Sequence, residues 1–176
     1  MKNKLFKTEL FGFAFCCILG TLSHFFYEWS GENVIVGIFC PVNESVWEHL
    51  KLIFTPFLIW TAAEYFIPKG QKLNLFLSKF CGVISGMLII LFIHYTYTGA
   101  TGNENMTADI LSFFAGVAAA FLISYTLMKN MKYKSAASEV IFFILLLAVG
   151  GIFILFTFSP PLIPLFEDSI TKTYGI

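Results

Sequence analysis

Arginine is missing from this chain: all 11 basic residues are lysine. Without a planar guanidinium there is no bidentate fork for phosphate or carboxylate, which argues against a phosphate clamp. Charge of either sign is scarce. Charged residues make up 12% of the 176 positions, where soluble domains carry about a quarter. The 11 lysines balance 11 acids, so no net charge steers the chain to nucleic acid. Cysteine is sparse and unpaired in pattern. Of Cys16, Cys17, Cys40 and Cys81, three lie inside apolar runs, so no disulfide framework is expected and they read as small buried hydrophobes. No H-E-x-x-H motif, internal repeat or low-complexity segment occurs.

What the chain does have is apolar bulk. It is 57% hydrophobic, with a mean hydropathy of +0.79 and 22 phenylalanines. This is the composition of an integral membrane protein, and the expected fold is an all-α polytopic helix bundle. Five spans are expected, at 8–29, 45–67, 73–98, 108–128 and 136–158. Residues 33–40, "NVIVGIFC", are too short to span and read as a half-inserted or interfacial segment. The whole of 1–176 reads as one membrane domain, with a proline-rich outer tail at 159–176.

Lysine placement predicts the orientation. Lys2, Lys4 and Lys7 precede the first span, and Lys69, Lys72 and Lys79 lie between or just inside spans two and three. Lys129, Lys132 and Lys134 lie between spans four and five. That side is cytoplasmic by the positive-inside rule, with the N-terminus inside and the C-terminus outside. The opposite side carries Glu28, Glu32, Glu44, Glu48, Glu104, Asp109, Glu167 and Asp168.

Local signals refine the boundaries. Ser45 to Glu48, "SVWE", has the form of a capping box opening helix two. Thr107 with Asp109 reads as the cap of helix four. Pro68 ends helix two, and Pro56 removes the donor for the Leu52 carbonyl and should kink it. Gly150 and Gly151 would permit close helix approach, while Gly82 and Gly86 have the small-xxx-small spacing of a contact face. Lys79 is expected to snorkel, Glu64 to snorkel or pair with Lys69, and Glu139 to act on a helix dipole. Trp29 and Trp47 suit the membrane interface, and Trp60 suits packing.

The chain has three histidines, His24, His49 and His94, and all three map to the outer face. Glu28 lies four residues after His24, and Glu48 adjoins His49. Ionisable groups at membrane depth are costly and face the bundle interior or a wet cavity, where they mark functional sites. Three imidazoles with carboxylates are a ligand set for zinc or a similar metal. His24, His49 and His94 are therefore the candidate metal ligands, and Glu48 and Glu28 the candidate catalytic bases for metal-assisted hydrolysis. Two blander readings stand beside this one: polar residues lying among headgroups, and a polar network that joins helices.

Pro160, Pro161 and Pro164 disfavour a helix in the tail, and Leu162, Ile163, Leu165 and Phe166 keep it apolar. It is expected to fold back over the outer surface, bringing Glu167 and Asp168 near the histidines.

"PVNESVWEHLKL" with its following proline-containing helix, and the terminal "FT…PP…PLF.D…T.TYGI", carry a resemblance. The chain resembles a family of small bacterial integral membrane proteins catalogued as a domain of unknown function. The resemblance covers nearly the whole chain and implies a bacterial plasma-membrane location. It brings no reaction, ligand or partner. Three functions stay open: a site protein binding a metal or polar headgroup, a transporter or substrate-binding membrane subunit, and a structural or regulatory partner of another membrane protein. Besides the lipid bilayer, a homo-oligomer or a membrane-protein partner is compatible with the sequence.

Overall fold

The computed structural model describes residues 2–66, 74–131 and 135–176. The elements are α1 (Lys2–Ser23), α2 (Phe26–Trp29), α3 (Val34–Phe39), α4 (Val46–His49), α5 (Lys51–Phe66), α6 (Leu75–Thr101), α7 (Met106–Asn130) and α8 (Ala136–Phe158). A 3₁₀ turn, Pro164–Phe166, follows. Among the described residues, four helices are long and apolar enough to cross a membrane: α1 over Lys4–Ser23, α6, α7 and α8. The molecule is thus an all-α polytopic membrane bundle. The expected second span is interrupted at Leu50, whose N–H turns back to Trp47 O at 3.1 Å, leaving α5 at 16 residues. The interruption falls before Pro56, which α5 accommodates in its interior. Pro68, Lys69, Lys72, Lys132 and Lys134 lie outside the described residues.

The caps differ in detail from the sequence signals. Ser45 does cap α4, accepting from Glu48 N at 3.2 Å, but the reciprocal half of the box is absent. Ser45 N instead donates to Asn43 Oδ1, and the Glu48 carboxylate turns inward. Asn105 caps α7 in place of Thr107, accepting from Ala108 N at 3.0 Å, and Asp109 sits in the first turn. Glu139 of α8 reaches across to α6, accepting from Phe76 N at 3.0 Å. A carboxylate there satisfies one of the orphan donors of a helix start and meets its positive end.

The buried core joins α1, α5, α6, α7 and α8 through Cys16, Ile53, Phe57, Val83, Val117, Phe121 and Leu146. Much apolar surface faces outward instead, above all on α8, where Ile141, Ile144, Leu147 and Leu155 are exposed. In lipid such exposure is favourable, and helix association falls to close packing of small residues. α6 and α7 show this. A Cβ on Gly82 would stand 2.5 Å from Ala120 O, and one on Gly86 2.6 Å from Gly116 O. The Gly82/Gly86 face is therefore consumed inside the bundle and is not an exposed partner surface. Gly150 and Gly151 make no such approach: the nearest atom to a Cβ at Gly150 is 3.6 Å away, and none lies within 4 Å at Gly151. A Cβ on Gly20 would meet the Leu52 carbonyl oxygen at 2.5 Å. That carbonyl is the one whose helical donor Pro56 removes, and α1 packs onto it. All four cysteines are free thiols.

Candidate functional site

The chain enters the site through two turns. Ser23 closes α1 by donating to Gly20 O at 2.8 Å, and His24 follows directly. Farther on, Asn43 accepts from Ser45 N at 3.0 Å, an Asx turn that leads into the Ser45 cap. One turn of α4 then places His49 so that its Nδ1 lies 2.9 Å from Ser45 O. A carbonyl only accepts, so Nδ1 carries the proton and donates. The other ring nitrogen, Nε2, is left facing Glu44.

Glu44 sits between two histidines. Its Oε2 lies 3.3 Å from His49 Nε2, and its Oε1 lies 3.7 Å from His24 Nε2. The two imidazoles lie with centroids 5.2 Å apart. One donor atom from each of His24, Glu44 and His49 can be chosen so that all lie within 4.8 Å of one another. The cluster is half-buried, with side-chain exposures of 31–39%. Its electrostatics call for a positive charge on or beside His49 Nε2, a proton or a cation. With His49 Nδ1 protonated, a neutral His49 would aim a lone pair at a carboxylate oxygen. Only a proton on Nε2 or a metal ion between the atoms makes that approach favourable. The hydrogen bond with His49 holds the Glu44 carboxyl below the ordinary glutamate value, against the opposing effect of burial. His24 Nδ1 is buried with no hydrogen-bond partner among the described residues.

The tail holds this stretch from outside. Asp168 Oδ2 accepts from Glu44 N at 3.5 Å, and Asn43 Nδ2 donates to Gly175 O at 3.1 Å. Phe166 is buried against Trp47, with ring centroids 5.0 Å apart, so Trp47 packs against the tail. Asp168 also accepts from Ile170 N at 2.7 Å and Thr171 N at 3.0 Å, which closes the last turn. The two motifs read from the sequence therefore meet in space.

The chain belongs to the family of unknown function DUF6512, which it matches over residues 1–176. No curated protein and no solved structure matches the chain. Membership of DUF6512 brings no chemistry, so the remaining residues are placed by geometry alone.

His94 stands outside the three-residue cluster. It pairs with Asp109, Nδ1 to Oδ1 at 2.9 Å, where α6 meets the start of α7. The two sites are neighbours, because Glu44 and His94 line one pocket of about 350 Å³. Glu44, which the sequence reading did not select as a ligand, takes the third position. Its signal was present: a carboxylate five residues before a histidine, across a Ser cap that folds the two together.

Glu48 is 2% exposed and belongs to a buried network. Lys51 Nζ donates to its Oε2 at 2.6 Å, to Thr157 Oγ1 at 2.5 Å and to Gly37 O at 2.8 Å. Thr157 lies 2.9 Å from Glu48 Oε1, and Val42 N donates to Oε2 at 3.1 Å. The network fastens α3 and α8 to the start of α5. Glu28 is exposed on α2.

A second ionic centre lies deep in the bundle, where sequence reading expects Lys79 to snorkel and Glu64 to snorkel or pair with Lys69. Lys79 is fully buried, with Glu9 Oε1 at 2.7 Å and Glu64 Oε2 at 2.8 Å. The rings of Phe57 and Phe121 flank its ammonium at 5.4 and 5.2 Å. Lys79 does not snorkel, and Glu64 is 3% exposed and turned inward. Glu9 sits in an otherwise unremarkable first span, and nothing local marks it as the partner of a residue 70 positions away.

Proposed function

We propose that this is a metal-binding membrane protein whose His24, Glu44 and His49 hold a divalent ion of the zinc class at the extracytoplasmic end of the bundle. The observation that carries the reading is the approach of three donor atoms within 4.8 Å, one from an imidazole whose tautomer is already set. A metal-ligating histidine characteristically donates its other N–H to a backbone carbonyl or carboxylate, as His49 does to Ser45 O. Two imidazoles and a carboxylate suit zinc, and three protein donors leave an open position. Water bound there would be activated for hydrolysis. Glu48 is committed to Lys51 and Thr157, so the His94–Asp109 pair is the better-placed base.

The orientation belongs to the same proposal. Lysines concentrated at one end put that end in the cytoplasm, the N-terminus inside and the C-terminus outside. A bacterial plasma membrane is the location the resemblance supports.

The test is elemental mass spectrometry on untagged, detergent-purified protein supplied with zinc. About one equivalent is expected in the wild type and none in His49→Ala. Equal, trace metal in both proteins would overturn the reading. Retention should also weaken as pH falls below about 6.5, because protons compete for both imidazoles.

A further inference from the structure

An apolar groove shares the lining residue Tyr95 with the polar pocket beside the cluster. The groove, about 590 Å³, is lined by Leu88, Leu91, Phe92, Tyr95, Thr96 and Leu165. On α6 these residues follow i, i+3, i+4 and i+7 from Leu88, one stripe of the helix. Leu88 is 58% and Phe92 72% exposed, so the stripe faces outward on a helix long enough to cross a membrane. Tyr95 lines both cavities, and the tail residues Pro164 and Leu165 wall one each. An open apolar groove on a helix long enough to cross a membrane thus adjoins, at Tyr95 and the tail, a pocket of ionisable groups.

We infer that this composite cavity binds a membrane phospholipid with an ammonium-bearing headgroup. The acyl chain lies along Leu88, Leu91 and Phe92, and the headgroup enters the pocket past Tyr95. The groove is apolar apart from the Tyr95 and Thr96 hydroxyls, whereas the pocket beyond Tyr95 is lined by ionisable groups, so the two halves call for a ligand with an apolar part and a charged part. A lipid matches both halves, and the bilayer supplies it laterally. The pocket walls select the headgroup. Glu44, Glu104 and Glu167 outnumber the one ammonium there, Lys172, whose Nζ is 3.6 Å from Glu167. An ammonium fits among the carboxylates, the Tyr95 ring adds a cation–π face, and Lys172 is available to the phosphate. The inference rests on Glu104 and Glu167, which take no part in the metal cluster, and Glu44 adds to the selection only where no metal occupies it.

The test is native mass spectrometry of protein in micelles doped with phosphatidylethanolamine or phosphatidylglycerol of matched chains. The ethanolamine lipid should be retained about tenfold better, the equivalent of one hydrogen bond to a charged group. Leu88→Trp, at an exposed position, should fill the groove and reduce retention of both lipids. Glu104→Gln with Glu167→Gln should erase the preference while lipid remains bound. Equal retention of the two lipids by the wild type would overturn the headgroup assignment. Retention unchanged in Leu88→Trp, or a second copy of the chain in place of lipid, would overturn the groove. Metal content measured on the same samples reports separately on the metal site.

Discussion

The two ionic centres of this bundle solve opposite problems. Around Lys79 every charge is out of reach of water: Lys79, Glu9 and Glu64 are 0%, 4% and 3% exposed, and aromatic rings close the walls. Around Glu44 the groups are half-exposed, border a pocket, and include a histidine nitrogen with no hydrogen-bond partner among the described residues. A charge taken from water into an apolar interior is tolerable only when its partners are in place. The Lys79 centre meets that condition internally and reads as a fastening of α1, α5 and α6. The histidine cluster leaves donor atoms facing one another within 4.8 Å, the arrangement on which the proposed metal site rests.

The sharpest way to break the comparison is to remove one charge from each centre. Lys79→Ala takes away the ammonium shared by Glu9 and Glu64 and should destabilise the protein by about 3–5 kcal/mol, or prevent folding. Glu44→Gln should cost about 1 kcal/mol or less, the range of a half-exposed ion pair, while abolishing metal retention. Thermal unfolding in detergent beside metal analysis checks both. If Glu44→Gln unfolds the protein and Lys79→Ala does not, the assignments are reversed.

Smaller effects sharpen the division between scaffold and site. Gly86→Leu forces a side chain against Gly116 O and should cost about 1–3 kcal/mol by overpacking, with metal content per folded molecule unchanged. Ser45→Ala removes the α4 cap and should cost about 1 kcal/mol. Because α4 carries His49, metal affinity should fall as well, which a zinc titration would detect. A normal affinity in Ser45→Ala would show that His49 is positioned by the bundle and not by its cap.

The smallest expected effect concerns the tail. Backbone N–H groups of Thr171, Ile170 and Glu44 stabilise the Asp168 carboxylate more than burial disfavours it, so its folded value lies below the ordinary 3.8. A lowered carboxyl stabilises the docked tail fully above the ordinary value and loses that contribution as pH falls through the folded one. Fluorescence of Trp47, which packs on Phe166, should report loosening only below about pH 4. Asp168→Asn should remove the pH dependence.

Much of the helical layout was legible residue by residue. The stretch 136–158 coincides with α8, and those at 73–98 and 108–128 differ from α6 and α7 by two or three residues at each end, whereas the first, expected at 8–29, is α1 at Lys2–Ser23 followed by the separate α2. Long apolar runs make helices in lipid because the backbone has no other way to satisfy its polar groups. The break at Leu50 was not legible, because Pro56 gave the stronger local signal. Lys79 and Glu64 were misread for a related reason: a lone charge in an apolar run looks like a snorkelling residue until its partner is known. The packing of Trp47 was not legible either, because the phenylalanines that enclose it come from α8 and the tail.

The sequence by itself determined that this is a helical membrane protein, where most helices run, and that its histidines gather at one end. Those properties follow from composition and periodicity, which act over one or two turns. Tertiary structure decided which histidines meet. His24 and His49 converge on Glu44, and His94 turns to Asp109, because contacts from α1, α4 and α6 depend on how closely the helices approach. That approach is set by glycines and buried pairs far apart in the chain, Gly20 against Leu52 and Lys79 between Glu9 and Glu64.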